Sequence, residues 1–282
     1  MKHLLLLVLI LLLACASGGG DRAGGGDNGG DSSEDPPTTG EAWYQPPAGT
    51  TWQWQLSGSL NSSYDAAIYD VDLFDTSADL IQDLQDQGRK VICYFSAGSL
   101  ENWRPDTDQF PRETLGNGLD GWPDERWLDI RSTEVATAMT QRLDLAVQKG
   151  CDGVEPDNVD GYANDSGFDL GAADQLAYNR LLATEAHVRG LSIGLKNDLD
   201  QIADLVDAFD FAVNEQCFQY DECDLLTPFI DQDKAVLQAE YRQTYVNDAA
   251  ARANLCQEAL TRQFSTLILP LDLDDAFRYS CE

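Results

Sequence analysis

The chain is 282 residues long and carries 18 basic against 49 acidic residues, a formal charge of −31. That balance sets nucleic acid aside as a partner, because phosphate binding needs the opposite sign; it would draw in a cationic ligand, and it also keeps an exported protein soluble. A hydrophobic share of 43% argues for a folded body, and the length suits one sizeable core.

The first element is a leader. After Lys2 and His3 comes "LLLLVLILLLA", an apolar run too short for a comfortable membrane span, ending in "LLAC" at Cys15. Residues 1–14 read as a signal peptide. The stretch resembles a bacterial lipoprotein signal, which implies lipidation of Cys15 and export to the cell envelope, the outer membrane in a diderm host, with a lipid anchor as the sole membrane contact. The alternative is an ordinary signal peptide and an extracellular protein. Residues 15–44 are Gly-, Asp- and Ser-rich with few apolar side chains, so they cannot bury enough surface to offset their ordering entropy and read as a disordered tether. Its glycine clusters follow no strand and open no helix, so they are no nucleotide fingerprint.

From residue 45 to 282 a rhythm sets in. Short apolar runs predict strands at 52–56, 66–70, 90–95, 152–156, 191–196, 209–214, 234–240 and 265–270. Amphipathic segments between them predict helices at 77–88, 132–150, 172–190, 197–209 and 247–263, the first three stopping at Gly88, Gly150 and Gly190. Eight strands alternating with helices predict an α/β fold, a single-domain (β/α)8 TIM barrel; a doubly wound open sheet is the alternative. "WLDIRS" at 127–132 reads as part of the long loop after the third strand.

Six cysteines remain beyond Cys15, an even set in an exported chain, which points to disulfides among fifteen possible pairings. Cys217 and Cys223 bracket a short polar loop, and Cys256 and Cys281 can pin the C-terminal tail. Cys93 and Cys151 either pair or remain buried thiols.

The chemistry concentrates at "GCDGVEPDNVDGY", residues 150–162, where Glu155, Asp157 and Asp160 crowd the C-terminal end of the fourth predicted strand, the face on which barrels build active sites. Other strand ends carry Asp70, Tyr94, Lys196, Glu215, Glu240 and Tyr241. Histidine chemistry has almost no material: His3 leaves with the leader and His187 reads as a helix-end residue. A Ser–His–Asp triad and a multi-histidine zinc site are therefore set aside, and no cofactor or metal is called for. Calcium is a weaker alternative, since "DNVDGYANDSGFD" has Val159 where an EF-hand needs an acidic ligand. Carboxylate pairs beside aromatic and amide side chains are the inventory of a glycoside hydrolase. Asp157 lies nearest the mouth, and Glu215 ends the sixth strand, from where it can face Asp157 across a sugar.

At these residues the chain resembles glycoside hydrolase family 114, the endo-α-1,4-polygalactosaminidases. The resemblance runs from about residue 52 to 270 and rests on "WQWQLSG", "YDVDLFD", "VICYFSAGSLENWRPD", "WLDIRS", "GCDGVEPDNVDGY", "GLSIGLKND" and "FAVNEQCFQYDECD". It implies a barrel that cuts α-1,4-linked galactosamine polymers internally, with the catalytic pair on Asp157 and Glu215. A polymer of free galactosamine is a polycation, which matches the acidity. The expected mechanism is retaining, with Asp157 as nucleophile and Glu215 as general acid/base. Tyr94, Trp103 and Tyr241 are expected to stack on sugar, and Asp70, Asp129, Asn158 and Lys196 to hydrogen-bond it. Glu155 and Asp160 are expected to add negative field and bind ammonium, and Glu240 to bind substrate. The protein is expected to be a monomer. The rival class is a non-catalytic surface protein that binds cationic glycans.

Overall fold

The structure, a computed structural model, describes residues 43–281. The signal peptide, Cys15 and the tether up to residue 42 lie outside the described residues. Trp43 and Tyr44, at the expected end of the tether, belong to the folded body. Trp43 stacks on His187 at 3.9 Å and its Nε1 donates to Asp210 Oδ1 at 2.7 Å.

Eight parallel strands succeed one another in chain order: β1 (Trp52–Gln55), β2 (Ile68–Asp72), β3 (Lys90–Ser96), then, after an insertion holding β4 to β6, β7 (Gly153–Asp157), β8 (Ser192–Lys196), β9 (Phe211–Glu215), β10 (Val236–Glu240) and β11 (Ser265–Ile268). They neighbour one another in that order, and the last short strand, β12 (Tyr279–Ser280), runs antiparallel along β11. The seam between β11 and β1 is bridged by Trp52 Nε1, which donates to Ser265 O at 2.8 Å, and by Arg278, which donates to Trp52 O at 2.8 Å. This is the (β/α)8 barrel expected from the rhythm of the sequence.

Side-chain parity sorts the core into two layers. Trp54, Ile68, Ile92, Phe211, Val213, Leu237 and Leu267 form one cluster inside the barrel. Val71, Val91, Phe95, Val154, Ile193, Leu195 and Val236 pack outward against the helices. The longer helices are α1 (Ala78–Asp86), α2 (Thr133–Lys149), α3 (Ala172–Val188) and, after the short α4 (Ile202–Leu205), α5 (Cys217–Tyr220), α6 (Thr227–Asp231) and α7 (Gln243–Asn247), α8 (Ala249–Thr261). Ser77 and Ser132 cap α1 and α2, their hydroxyls accepting from Leu80 N and Glu134 N, which leaves fewer orphan amides at each start.

The long connection after β3 is not a loop throughout. It carries a three-stranded antiparallel sheet of β4 (Ser99–Glu101), β5 (Leu115–Leu119) and β6 (Trp122–Leu128), in the order β4-β6-β5. "WLDIRS" therefore begins in a strand, outside the barrel. The three disulfides are Cys93–Cys151, Cys217–Cys223 and Cys256–Cys281. The first ties β3 to the approach to β7, the second closes the turn after β9, and the third joins α8 to the tail.

Candidate active site

The C-terminal ends of β7, β8 and β9 bring Asp157, Lys196 and Glu215 to one point. All three sit on the inward parity of their strands. Immediately after them the chain turns sharply: Asn158, Asn197 and Gln216 take φ of 59°, 48° and 63°. Asparagine tolerates this left-handed region better than most residues, so β7 and β8 can end abruptly and leave their last side chains facing the mouth. The Asn158 turn packs so tightly on the β3–β4 connection that a Cβ on Gly98 would lie 1.7 Å from Asn158 O. Glycine is obligatory there.

Lys196 is the hub. Its Nζ lies 3.1 Å from Asp157 Oδ1, 3.2 Å from Glu215 Oε2 and 3.2 Å from Glu155 Oε1. The side chain is buried and its ammonium stands 4.9 Å from the centroid of the Trp54 ring. Burial alone would pull its pKa down. The carboxylates of Asp157, Glu215 and Glu155 outweigh that and hold it well above the ordinary lysine value.

Each outer carboxyl is also held by its own donors. Asp157 accepts from Tyr94 OH at 3.0 Å and from Asn158 N at 2.7 Å. Glu215 accepts from Tyr241 OH at 2.5 Å and from Asn197 Nδ2 at 3.3 Å, while Asn197 Oδ1 accepts from Glu215 N at 3.0 Å. Both tyrosines have pKa values pushed well above normal, first by burial and then by the carboxylate each one faces, so they remain donors. Behind Asn158, its Nδ2 donates to Ser96 Oγ at 2.9 Å, and Ser99 Oγ donates to Glu125 Oε2 at 2.6 Å. Burial pushes Glu125 up to about 7.

These groups open into a cleft of about 1010 Å³, wide enough for several sugar units, walled by the three-stranded insertion on one side and residues 271–273 on another. Trp103 and Trp122 line it and are 53% and 47% exposed. Trp103 is held open to the cleft because its neighbour Arg104 is buried, paired to Asp72 at 2.6 Å and to Glu101 at 2.7 Å. Asp160 also lines the cleft, its pKa raised to about 6 first by burial and then by Asp157.

Four residues expected to touch sugar are placed elsewhere. Asp70 and Glu155 are fully buried beneath the cleft floor. Glu240 has the outward parity of Val236, away from the lumen; its Oε1 accepts from Phe218 N at 3.0 Å and so fixes the turn after Glu215. Asp129 is paired with Arg131 at 2.8 Å beside the start of α2 and does not line the cleft. Tyr241 is engaged through its hydroxyl by Glu215 rather than offering a free ring face. Trp122 and Glu125 carried no expected role, whereas Asn197 is expected from the sequence, with Lys196, among the polar strand ends that converge on the mouth. Trp122 and Glu125 sit in a stretch whose strands are irregular. Among the described residues, no group of three or more His, Cys, Asp or Glu side chains is arranged to hold a metal ion.

Known proteins share this barrel. The crystal structure of Aspergillus fumigatus Ega3 in complex with galactosamine is 47% identical, superposes with a TM-score of 0.81, and pairs 86% of this chain with 98% of that one. The glycoside hydrolase domain of PelA from Pseudomonas aeruginosa matches at 11% identity and a TM-score of 0.64, covering 80% of this chain and 96% of that one. An α-galactosidase from Thermus thermophilus, in complex with p-nitrophenyl α-D-galactopyranoside, matches at 12% identity and a TM-score of 0.54, covering 80% and 58%. The last two share the fold alone. No curated protein matches the chain. A model of the glycoside-hydrolase family GH114 matches residues 33–282, and on that match, with the barrel and the carboxyl-lined cleft it carries, this chain belongs to family GH114 and is a glycoside hydrolase.

Proposed function

We propose that the enzyme cuts galactosamine-rich polysaccharide within the chain, with retention at the anomeric carbon, using Asp157 as nucleophile and Glu215 as general acid/base. The observation that carries the reading is the shared ammonium. Asp157 Oδ1 and Glu215 Oε2 both lie within 3.2 Å of Lys196 Nζ, so their separation cannot exceed the sum of those two contacts. For these two facing oxygens that limit includes the roughly 5–5.5 Å at which a retaining pair works.

In this reading Asp157 attacks the anomeric carbon while Glu215 gives its proton to the leaving glycosidic oxygen. Glu215 then takes a proton from the water that releases the sugar from Asp157. Lys196 stays charged throughout and balances the carboxylates. The Tyr94 hydroxyl and the Asn158 amide hold the attacking carboxyl in one orientation, and Tyr241 does the same for Glu215. The Ega3 complex supports galactosamine as the sugar class. So does the chemistry of the cleft, where the Asp160 carboxyl and exposed indole faces can meet an ammonium-bearing sugar. Incubation with de-N-acetylated and fully N-acetylated α-1,4-galactosamine polymer tests the reading. Release of a ladder of oligomers from the first is expected; release from neither, by folded enzyme, would reject it.

A further inference from the structure

Beneath Lys196 lie two carboxyl groups that the proposed mechanism does not use. Asp70 on β2 and Glu155 on β7 are both fully buried inside the barrel. None of their four side-chain oxygens has a hydrogen-bond partner when both groups are taken as anions. A buried anion without donors is costly, and Asp70 and Glu155 lie within hydrogen-bond reach of each other, so two charges there would repel strongly. One proton between them removes both problems: a carboxylic acid donates one hydrogen bond, and its neighbour accepts it.

We propose that Asp70 and Glu155 share a single proton, with Asp70 the neutral donor and Glu155 the anion that draws the Lys196 ammonium down between Asp157 and Glu215. The surroundings assign the roles. Glu155 faces Lys196 Nζ at 3.2 Å and is thereby favoured as the charged member. Asp70 makes no ion pair among the described residues, and burial followed by the Glu155 charge raises its pKa well above the carboxylate range. Burial pushes Glu155 up to about 7, with Lys196 opposing that push. The titratable and charged groups facing the pair are Tyr94 on β3, Asp157 on β7, Lys196 on β8, Glu215 on β9 and Tyr241 after β10. Glu155 is thus a positioning residue acting through Lys196.

The proposal rests on the Asp157–Glu215 reading for its kinetic consequence and is independent of it for its protonation state, so two readouts separate the failures. The first is infrared difference spectroscopy of the resting enzyme, labelled with 13C-carboxyl aspartate, at alkaline pH. Wild type should show an isotope-shifted carboxylic acid C=O band that D70N lacks. No difference between the two would mean that Asp70 is ionised, and would overturn the proposal whatever the catalytic pair is. The second is the pH profile of kcat on the polymer. Removing the negative charge of Glu155 makes nearby groups lose protons more easily, so E155Q should move the alkaline limb to lower pH by about one unit. D70N, whose amide still donates to Glu155, should leave the limb in place. The opposite pattern, a shift in D70N and none in E155Q, would assign the proton to Glu155 and contradict the proposal. Should E155Q fail to fold, as its melting profile would reveal, the D70N profile and the infrared band still decide.

Discussion

At the residue scale the site is a charge arrangement before it is a reagent. One lysine faces three carboxyl groups, and the role of each carboxyl is set by its other partners. Asp157 and Glu215 reach the cleft and have donors; Glu155 is buried and has Asp70 as its proposed donor. Asp157→Asn and Glu215→Gln, measured separately, should each lower kcat at least about 10³-fold while polymer binding persists. Full activity in either variant would remove that residue from the mechanism. The sequence reading has Tyr241 stacking on sugar. Its hydroxyl is instead 2.5 Å from Glu215 Oε1, so Tyr241→Phe should act mainly on kcat. Loss of one hydrogen bond to a reacting carboxyl is worth about 1.5 kcal/mol, or roughly tenfold. Steady-state kinetics in which KM rises and kcat holds would return Tyr241 to a stacking role. Gly98→Ala drives a methyl into Asn158 O, so the β7 turn must shift; a clear loss of both melting temperature and activity is expected, and a neutral result would contradict the packing described.

At the element scale, strand ends and disulfides hold the geometry. Cys217–Cys223 closes the turn that starts two residues after Glu215, and Cys256–Cys281 holds the tail that carries β12 along the barrel seam. By chain entropy the three bridges contribute about 2, 3.5 and 4 kcal/mol in order of increasing loop length. Replacing Cys256 and Cys281 by serine should therefore cost about 3.5 kcal/mol in denaturant unfolding, while the short Cys217–Cys223 bridge should matter more for kcat than for stability. The eight barrel strands and the carboxyl-bearing strand ends were legible in the sequence because short apolar runs ending in polar residues carry both signals at once. The insertion was not: "LGNGLDGWPDERW" mixes Gly, Pro and charge, so its strands lack the alternation that marks a half-buried strand. The buried state of Asp70 and Glu155 was equally hidden, since depth along a strand inside a barrel depends on strand stagger, which no local pattern records. Glu240 was misread by one parity step: its neighbours Ala239 and Tyr241 face the lumen side, and it does not.

At the scale of the whole molecule, acidity and burial act together on stability. Burial pushes Glu125 up to about 7, Asp160 and Glu240 to about 6, and Asp198 to about 8. In the unfolded chain such groups release their protons near pH 4, so between about pH 4 and pH 8 the folded state binds more protons. Stability therefore falls as pH rises through that window, and the formal charge of −31 adds self-repulsion in the same direction. Thermal unfolding followed across pH 4.5 to 8.5, on the order of one scan per half unit, should show a declining melting temperature; a rise would contradict these assignments. The proposed galactosamine polycation should associate less tightly with so acidic a chain as salt is added. Retention through a covalent bond to Asp157 is read from the anomer of the first product. Proton NMR during the first minutes of hydrolysis of an α-1,4-galactosamine oligomer should show the α-anomer of the new reducing end appearing first and mutarotating afterwards; the β-anomer appearing first would mean inversion and would contradict the account.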